Sequence, residues 1–249
     1  MQTNYFELKN KTQNYTISCK EFLPDKVFQA MIICHGFASN IDSDSISTIA
    51  SEFVSQKIAC FAFNFPLHGS SNATPENFTV KNCLSDVETL REYVMKKHPK
   101  VDISIFGISF GGYVALQSVL CDNKYKNVVL RAPALDMKNI FINHLLKEDF
   151  ATFEKNKIAR AGFDGNIKLT YNFFEELKNY DLLKKQNIQQ KAIIIQGDCD
   201  DVALLEIAEE FVKNNPKIAI KIIKNAKHKM TTFELKEVCR YALDFMKLK

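Results

Sequence analysis

An α/β fold, with a mostly parallel central sheet covered by helices on both faces, is what this chain predicts. Three observations point there. Short apolar runs recur without polar alternation, as strands buried on both faces require. Amphipathic stretches of helical period separate them. The residues able to do chemistry sit just after the apolar runs, at the strand ends where such folds gather their sites.

The elements follow in order. Tyr5 to Leu8, Tyr15 to Leu23 and Val27 to Cys34 read as strands, the last containing the apolar run Ala30-Met31-Ile32-Ile33-Cys34 before His35-Gly36-Phe37. Ile46, Ile49, Ala50, Phe53 and Val54 repeat at helical spacing and predict a helix over Ser43 to Gln56. Ile58 to Phe63 is a second buried strand, leading into the loop Asn64 to Ser71. Leu84, Val87, Leu90 and Val94 give an amphipathic helix over Val80 to Lys97, with Thr79 as its cap. Ile103, Ile105 and Phe106 form a strand that runs into a helix at Tyr113 to Leu120, and Asn127 to Arg131 is a further strand closed by Ala132-Pro133. From 134 to 187 the rhythm changes. Helical pieces are expected at Phe141 to Leu146, Phe150 to Asn156 and Tyr171 to Lys185, punctuated by Gly162 and Gly165, with no strands. This segment reads as a helical cap inserted into a single domain spanning 1–249. Its aromatic residues, Phe141, Phe150, Phe153, Phe163, Tyr171, Phe173, Phe174 and Tyr180, read first as glue between cap and core. Alternation then resumes with the strand Ala192 to Gln196, a helix at Leu204 to Lys213, the strand Ile218 to Ile223 and a last helix at Thr232 to Lys247.

The chemistry starts at Gly107-Ile108-Ser109-Phe110-Gly111. A strand, a tight turn centred on serine and then a helix lift the hydroxyl above the sheet edge. Gly107 and Gly111 leave room where a side chain would strike the neighbouring strand and helix. The helix start aims backbone N–H groups at the place where negative charge would develop. A serine hydroxyl is a poor nucleophile at neutral pH, so it needs a base within hydrogen-bond reach and a carboxylate to orient that base. Of the five histidines, His228 follows the strand Ile218 to Ile223 and fits best. His98 ends a surface helix and His144 lies in the cap. The carboxylate is expected in Gly197-Asp198-Cys199-Asp200-Asp201-Val202. Asp200 fits because the reaching residue lies within the loop, while Asp198 suits the turn itself, and the choice between them stays open. The Phe110 N–H and the Phe37 N–H are the candidate oxyanion donors, with His35 and Gly36 beside the substrate. Taken alone, His35-Gly36 would read as an ordinary strand-end turn.

His35-Gly36-Phe37, the loop Pro66-Leu67-His68-Gly69-Ser70-Ser71, Gly107 to Gly112, Gly197 to Val202 and His228 occur in the order found in the α/β-hydrolase superfamily, which the chain resembles over nearly its whole length. Within it the chain looks most like small carboxylesterases that include cinnamoyl (feruloyl) esterases, and next like monoacylglycerol lipases. The resemblance implies the α/β-hydrolase fold, with Ser109, Asp200 and His228 as a triad and Phe37 and Phe110 as oxyanion donors. The chain departs from the family pattern at Asn64, where an acid is common, at Pro66-Leu67, at Ala203, and at Lys227 and Lys229 around the histidine. The implied activity is hydrolysis of small to medium or aromatic acyl esters through an acyl-enzyme. A thioesterase, an amidase or a non-catalytic binder of the same fold is the alternative.

That chemistry requires no metal and no cofactor. Basic residues number 33 against 29 acidic ones and are scattered, so a nucleic-acid footprint is not expected. No apolar run approaches membrane-spanning length and the first residues do not read as a signal peptide, so membrane insertion is not expected. Seven dispersed cysteines without a CxxC pair fit a reducing, cytoplasmic setting. The expected partner is a small-molecule ester, and a homodimer is left open.

Overall fold

The computed structural model describes residues 1–122, 124–184 and 188–247. Its strands are β1 (Gln2–Lys9), β2 (Thr16–Leu23), β3 (Gln29–Cys34), β4 (Ile58–Phe63), β5 (Asp102–Ile108), β6 (Val128–Arg131), β7 (Ile158–Ala161), β8 (Ile167–Thr170), β9 (Ala192–Gly197) and β10 (Ile218–Ile223). The α-helices are α1 (Asp44–Ser55), α2 (Val80–Lys97), α3 (Phe110–Cys121), α4 (Met137–Ile140), α5 (Phe150–Asn156), α6 (Tyr171–Glu176), α7 (Leu205–Lys213) and α8 (Thr232–Lys247).

Eight strands form one sheet in the order β1-β2-β4-β3-β5-β6-β9-β10. β1 and β2 are an antiparallel hairpin, β2 meets β4 antiparallel, and all pairs from β4 to β10 are parallel. β3, β4, β6 and β9 are buried along nearly their whole length, as their unbroken apolar runs require. One face of the sheet packs on α1 and α8, through residues such as Ile46, Phe53, Val238 and Ala242. The other packs on α2, α3 and α7, through Val87, Leu90, Val114 and Phe211. Thr79 caps α2 as expected, its Oγ1 accepting the Asn82 N–H at 3.1 Å, and Ser43, the first residue of the predicted helix, caps α1 instead, its Oγ accepting the Ile46 N–H at 3.4 Å. Cys34 and Cys60 are buried core residues, and all seven cysteines are unpaired. Among the described residues no helix is long and apolar enough to cross a membrane.

The segment from 134 corrects the sequence reading in two ways. It contains a hairpin, β7–β8, where no strand is expected. The alternation is present in both strands, with buried Ala159, Ala161, Ile167 and Leu169 against exposed Arg160 and Lys168, but it covers only four residues each. Gly162 and Gly165, both at positive φ, make the turn between them. The helix from Tyr171 ends at Glu176, well short of Lys185, which lies outside the described residues as does the segment's end at 187. Tight i to i+3 bonds, Lys178 N–H to Glu175 O and Asn179 N–H to Glu176 O, replace the helical ladder there. A five-residue wide helical turn, Phe141–Leu145, continues α4. The aromatic residues of the segment run into the main core: Phe141 and Phe153 have ring centroids 5.8 Å apart, Phe173 lies 4.7 Å from Phe78, and Phe78 lies 5.7 Å from Phe110. Phe163, on the hairpin turn, is 53% exposed.

Candidate active site

Ser109 occupies the turn between β5 and α3 with φ 50° and ψ −113°, a conformation rarely adopted by a residue with a side chain. The surrounding backbone holds it there. Its N–H donates to Arg131 O at 3.0 Å, and its carbonyl accepts the N–H groups of Tyr113 and Ala134, both at 3.0 Å. Close packing is what the flanking glycines permit. A Cβ on Gly111 would lie 2.2 Å from Cys34 O, and one on Gly107 would lie 2.5 Å from Gly112 Cα.

The Ser109 hydroxyl reaches His228 Nε2 at 3.0 Å. On the far side of the ring, His228 Nδ1–H donates to both Asp200 oxygens, at 3.0 and 2.9 Å. Asp200 is buried in the β9–α7 loop and receives three more donors: Val202 N–H at 3.0 Å, Ala203 N–H at 2.8 Å and Gln196 Nε2 at 3.1 Å. Burial would raise the Asp200 carboxyl. The bond from His228 and the two amides outweigh it and hold the group below the ordinary aspartate range. Asp198 does something else: its Oδ1 accepts the Asn225 N–H and its Oδ2 pairs with Lys224 at 3.2 Å, so it ties the turn after β9 to the turn after β10. The loop that carries His228 is seated by close contact, since a Cβ on Gly197 would lie 2.2 Å from Ala226 O. Cys199 N–H donates to that same carbonyl at 3.0 Å.

Gly36 lies over the serine, where a Cβ added to it would sit 3.7 Å from Ser109 Cβ. Phe37 and Phe110 bury their rings, 5.8 Å apart and edge to face, so the polar group each can offer the site is its backbone amide. Phe110 opens α3, and the first amides of a helix have no intrahelical acceptor. His35, expected beside the substrate with Gly36, is buried instead and spends both ring nitrogens on backbone: Nδ1–H donates to Gly36 O at 2.8 Å and Nε2 accepts the Phe65 N–H at 3.2 Å. Its ring staples the β3 loop to the β4 loop. Burial and the neighbouring His68 pull its pKa down to about 3, so it stays neutral.

Two residues near this chain of hydrogen bonds carry a sequence signal that was open to reading. Gln196 and Arg131 are lone polar residues near the ends of otherwise apolar strands, and both are buried. Gln196 orients Asp200 as above. Arg131 donates through Nη2 to the His228 carbonyl. A cavity of about 320 Å³ opens between Pro133, Leu135 and Ile140 on one side and Val202, Leu204 and Ile207 on the other, with Asn139, Asn143 and His144 also lining it. Together these groups can exchange a proton at a serine oxygen and place an apolar group beside the Asp200 loop.

The chain is similar to known proteins over most of its length. A Mycoplasma genitalium protein described as "Putative esterase/lipase 2" is 24% identical over 256 residues, covering 90% of this chain and 91% of the relative. The structure of Est1E from Butyrivibrio proteoclasticus with bound ferulic acid superposes with a TM-score of 0.82 at 18% identity, covering 97% of this chain and 99% of the other. The Pyrococcus furiosus esterase Pf2001 gives a TM-score of 0.75 at 18% identity, covering 99% of this chain and 92% of the other. The family model for serine aminopeptidase, S33, matches residues 25–181. That match takes in more than half of the chain and includes the β3 turn, the Ser109 turn and the end of β6, so the chain is a member of the serine aminopeptidase S33 family of α/β-hydrolases.

Proposed function

We propose that this protein is a serine carboxylic-ester hydrolase acting on small to medium or aromatic acyl esters. The observation that carries the reading is the continuous hydrogen-bond chain Ser109–His228–Asp200 at the ends of three strands of one sheet. His228 takes the hydroxyl proton as Ser109 attacks the ester carbonyl. The amides of Phe37 and Phe110 receive the oxyanion. His228 then protonates the departing alcohol, and in the second half activates water to release the acyl group. Asp200 keeps the imidazole in the Nδ1–H tautomer and stabilises its cation.

The cavity beside the Asp200 loop supports a modest organic group, because it lies near the lower end of ligand-pocket volumes, roughly 300–1,000 Å³. An amide substrate is the second reading, favoured by the family's aminopeptidase description. It would call for an acid free to receive an α-ammonium group. Asp136, the carboxylate lining this cavity, already accepts the Asn139 N–H at 3.3 Å and its side-chain amide at 2.6 Å. The ester reading therefore ranks first.

The test is hydrolysis of p-nitrophenyl esters from acetate to laurate, alongside methyl ferulate and an aminoacyl p-nitroanilide. Ester turnover lost by at least a thousandfold in Ser109→Ala is the expected result. Wild-type rates in the folded Ser109→Ala variant would end the proposal, and anilide turnover above ester turnover would move it to the second reading.

A further inference from the structure

β6 lies between β5, which delivers Ser109, and β9, which leads to Asp200. Its last residue, Arg131, is 5% exposed. Burying a guanidinium is costly unless its protons are satisfied and its charge is met. Here it touches the reactive machinery by two routes. Its carbonyl accepts the Ser109 N–H at 3.0 Å. Its Nη2 donates to the main-chain carbonyl of His228, 97 residues further on, while Nε has no protein partner among the described residues. No carboxylate of the described residues forms an ion pair with it. The negative charges that bear on it are those of Asp200 and of Glu234 on α8, and Glu234 already accepts the Thr231 N–H at 2.6 Å. Burial pulls the guanidinium down to about 10, which leaves it cationic at neutral pH.

The β10–α8 loop needs such a hold. It has no ladder of its own, and Lys227 and Lys229 on either side of His228 are exposed. From the β9 side it is pinned at Asn225 and Ala226, three and two residues before the histidine. Among the described residues, the Arg131 bond is the one made at the histidine's own backbone.

We propose that Arg131 is a positioning residue for His228, fixing its backbone by the carbonyl bond while its charge offsets that of Asp200. The inference rests on the Ser109–His228–Asp200 reading. Arg131 touches no substrate, so its loss alters kcat and leaves KM.

The experiment compares wild type, Arg131→Lys and Arg131→Met, each checked by far-UV dichroism, for the fraction finally labelled by a fluorophosphonate and for kcat and KM of ester hydrolysis. In Arg131→Met kcat per labelled site falls about ten- to a hundredfold with KM within threefold. Arg131→Lys keeps the charge but loses the planar fork, so its kcat falls as well. A fall that vanishes once rates are expressed per labelled site is a loss of folded protein alone, which overturns the inference. So does wild-type kcat in Arg131→Lys, the variant that decides should Arg131→Met not fold. Wild-type protein that neither labels nor turns over any ester would remove the underlying reading and this inference with it.

Discussion

His35 and His68 lie buried with ring centroids 5.2 Å apart, and their burial leaves a signature in the acid stability of the protein. Burial holds His35 at about 3 and His68 at about 4, below the ordinary 6.5. Between those values the unfolded chain carries two protons that the folded chain lacks, so their stabilising effect is lost as pH falls below 6.5. Asp86 acts in the opposite sense. Burial raises it from 3.8 to about 7, against the opposing bonds from Asn10 and Tyr15, so the folded chain holds a proton that the unfolded chain has released. Its contribution is lost as pH rises through 7. Near pH 5 these three groups together take up one proton on unfolding, two minus one. Asp86→Asn removes the opposing proton, so the acid-side slope from these groups should double, from about 1.4 to about 2.8 kcal/mol per pH unit. Urea unfolding at intervals between pH 5 and 6.5 reads this directly, and equal slopes for variant and wild type would contradict it. None of this was visible in the chain as letters: His35 could be read as a substrate contact or as a bonded strand-end residue, and only the two backbone groups around its ring choose the second.

The elements that were easiest to foresee are those whose pattern is long. β4, α2, β10 and α8 begin and end where the apolar period says, because six to eighteen residues of one period leave no other solution. Ser109 and His228 were legible for the same reason, since each sits one turn beyond such a run. β7 and β8 were not, since four alternating residues resemble a helix fragment, and what makes them strands is their pairing and the positive-φ glycines between them. Arg131 and Gln196 stand in the sequence as polar residues near the ends of apolar strands, but Arg131 meets His228, 97 residues away, only through the sheet order, and Gln196 meets Asp200, 4 residues on, only because the loop after β9 folds back. The same holds for the contacts that seat the segment from 134 on the rest. Glu176 of α6 accepts the Val80 N–H at 2.6 Å and the Lys81 N–H at 3.3 Å, so it caps α2 from across the molecule. The Tyr180 carbonyl accepts Tyr113 OH at 2.9 Å and Gln117 Nε2 from α3. Glu176→Ala should cost about 1 kcal/mol, lowering Tm by about 2–4 °C, whereas the exposed neighbour Glu175→Ala should leave it unchanged. Equal Tm values for the two variants would show that the cap contributes nothing.

For the molecule as a whole, the sheet arranges its chemistry across strands of unequal security. β5 and its serine are central, with β3 and β6 on either side. β9 and Asp200 come next but one. β10, which delivers His228, is the last strand: among the described residues β9 alone pairs with it, and Ala219 and Lys221 are exposed along its length. Such an edge opens locally at a lower free energy than the centre of a sheet. The proposed nucleophile and the proposed base thus belong to regions that need not come apart together. In a urea titration the loss of ester turnover should precede the loss of far-UV ellipticity, and fluorophosphonate labelling should fade along the turnover curve, ahead of the fold. Coincident midpoints would show that the edge melts with the core. If the two separate, the enzyme has a silent state, with the serine turn still folded and its proton acceptor withdrawn, and mild stress would suspend activity reversibly before exposing the core to aggregation.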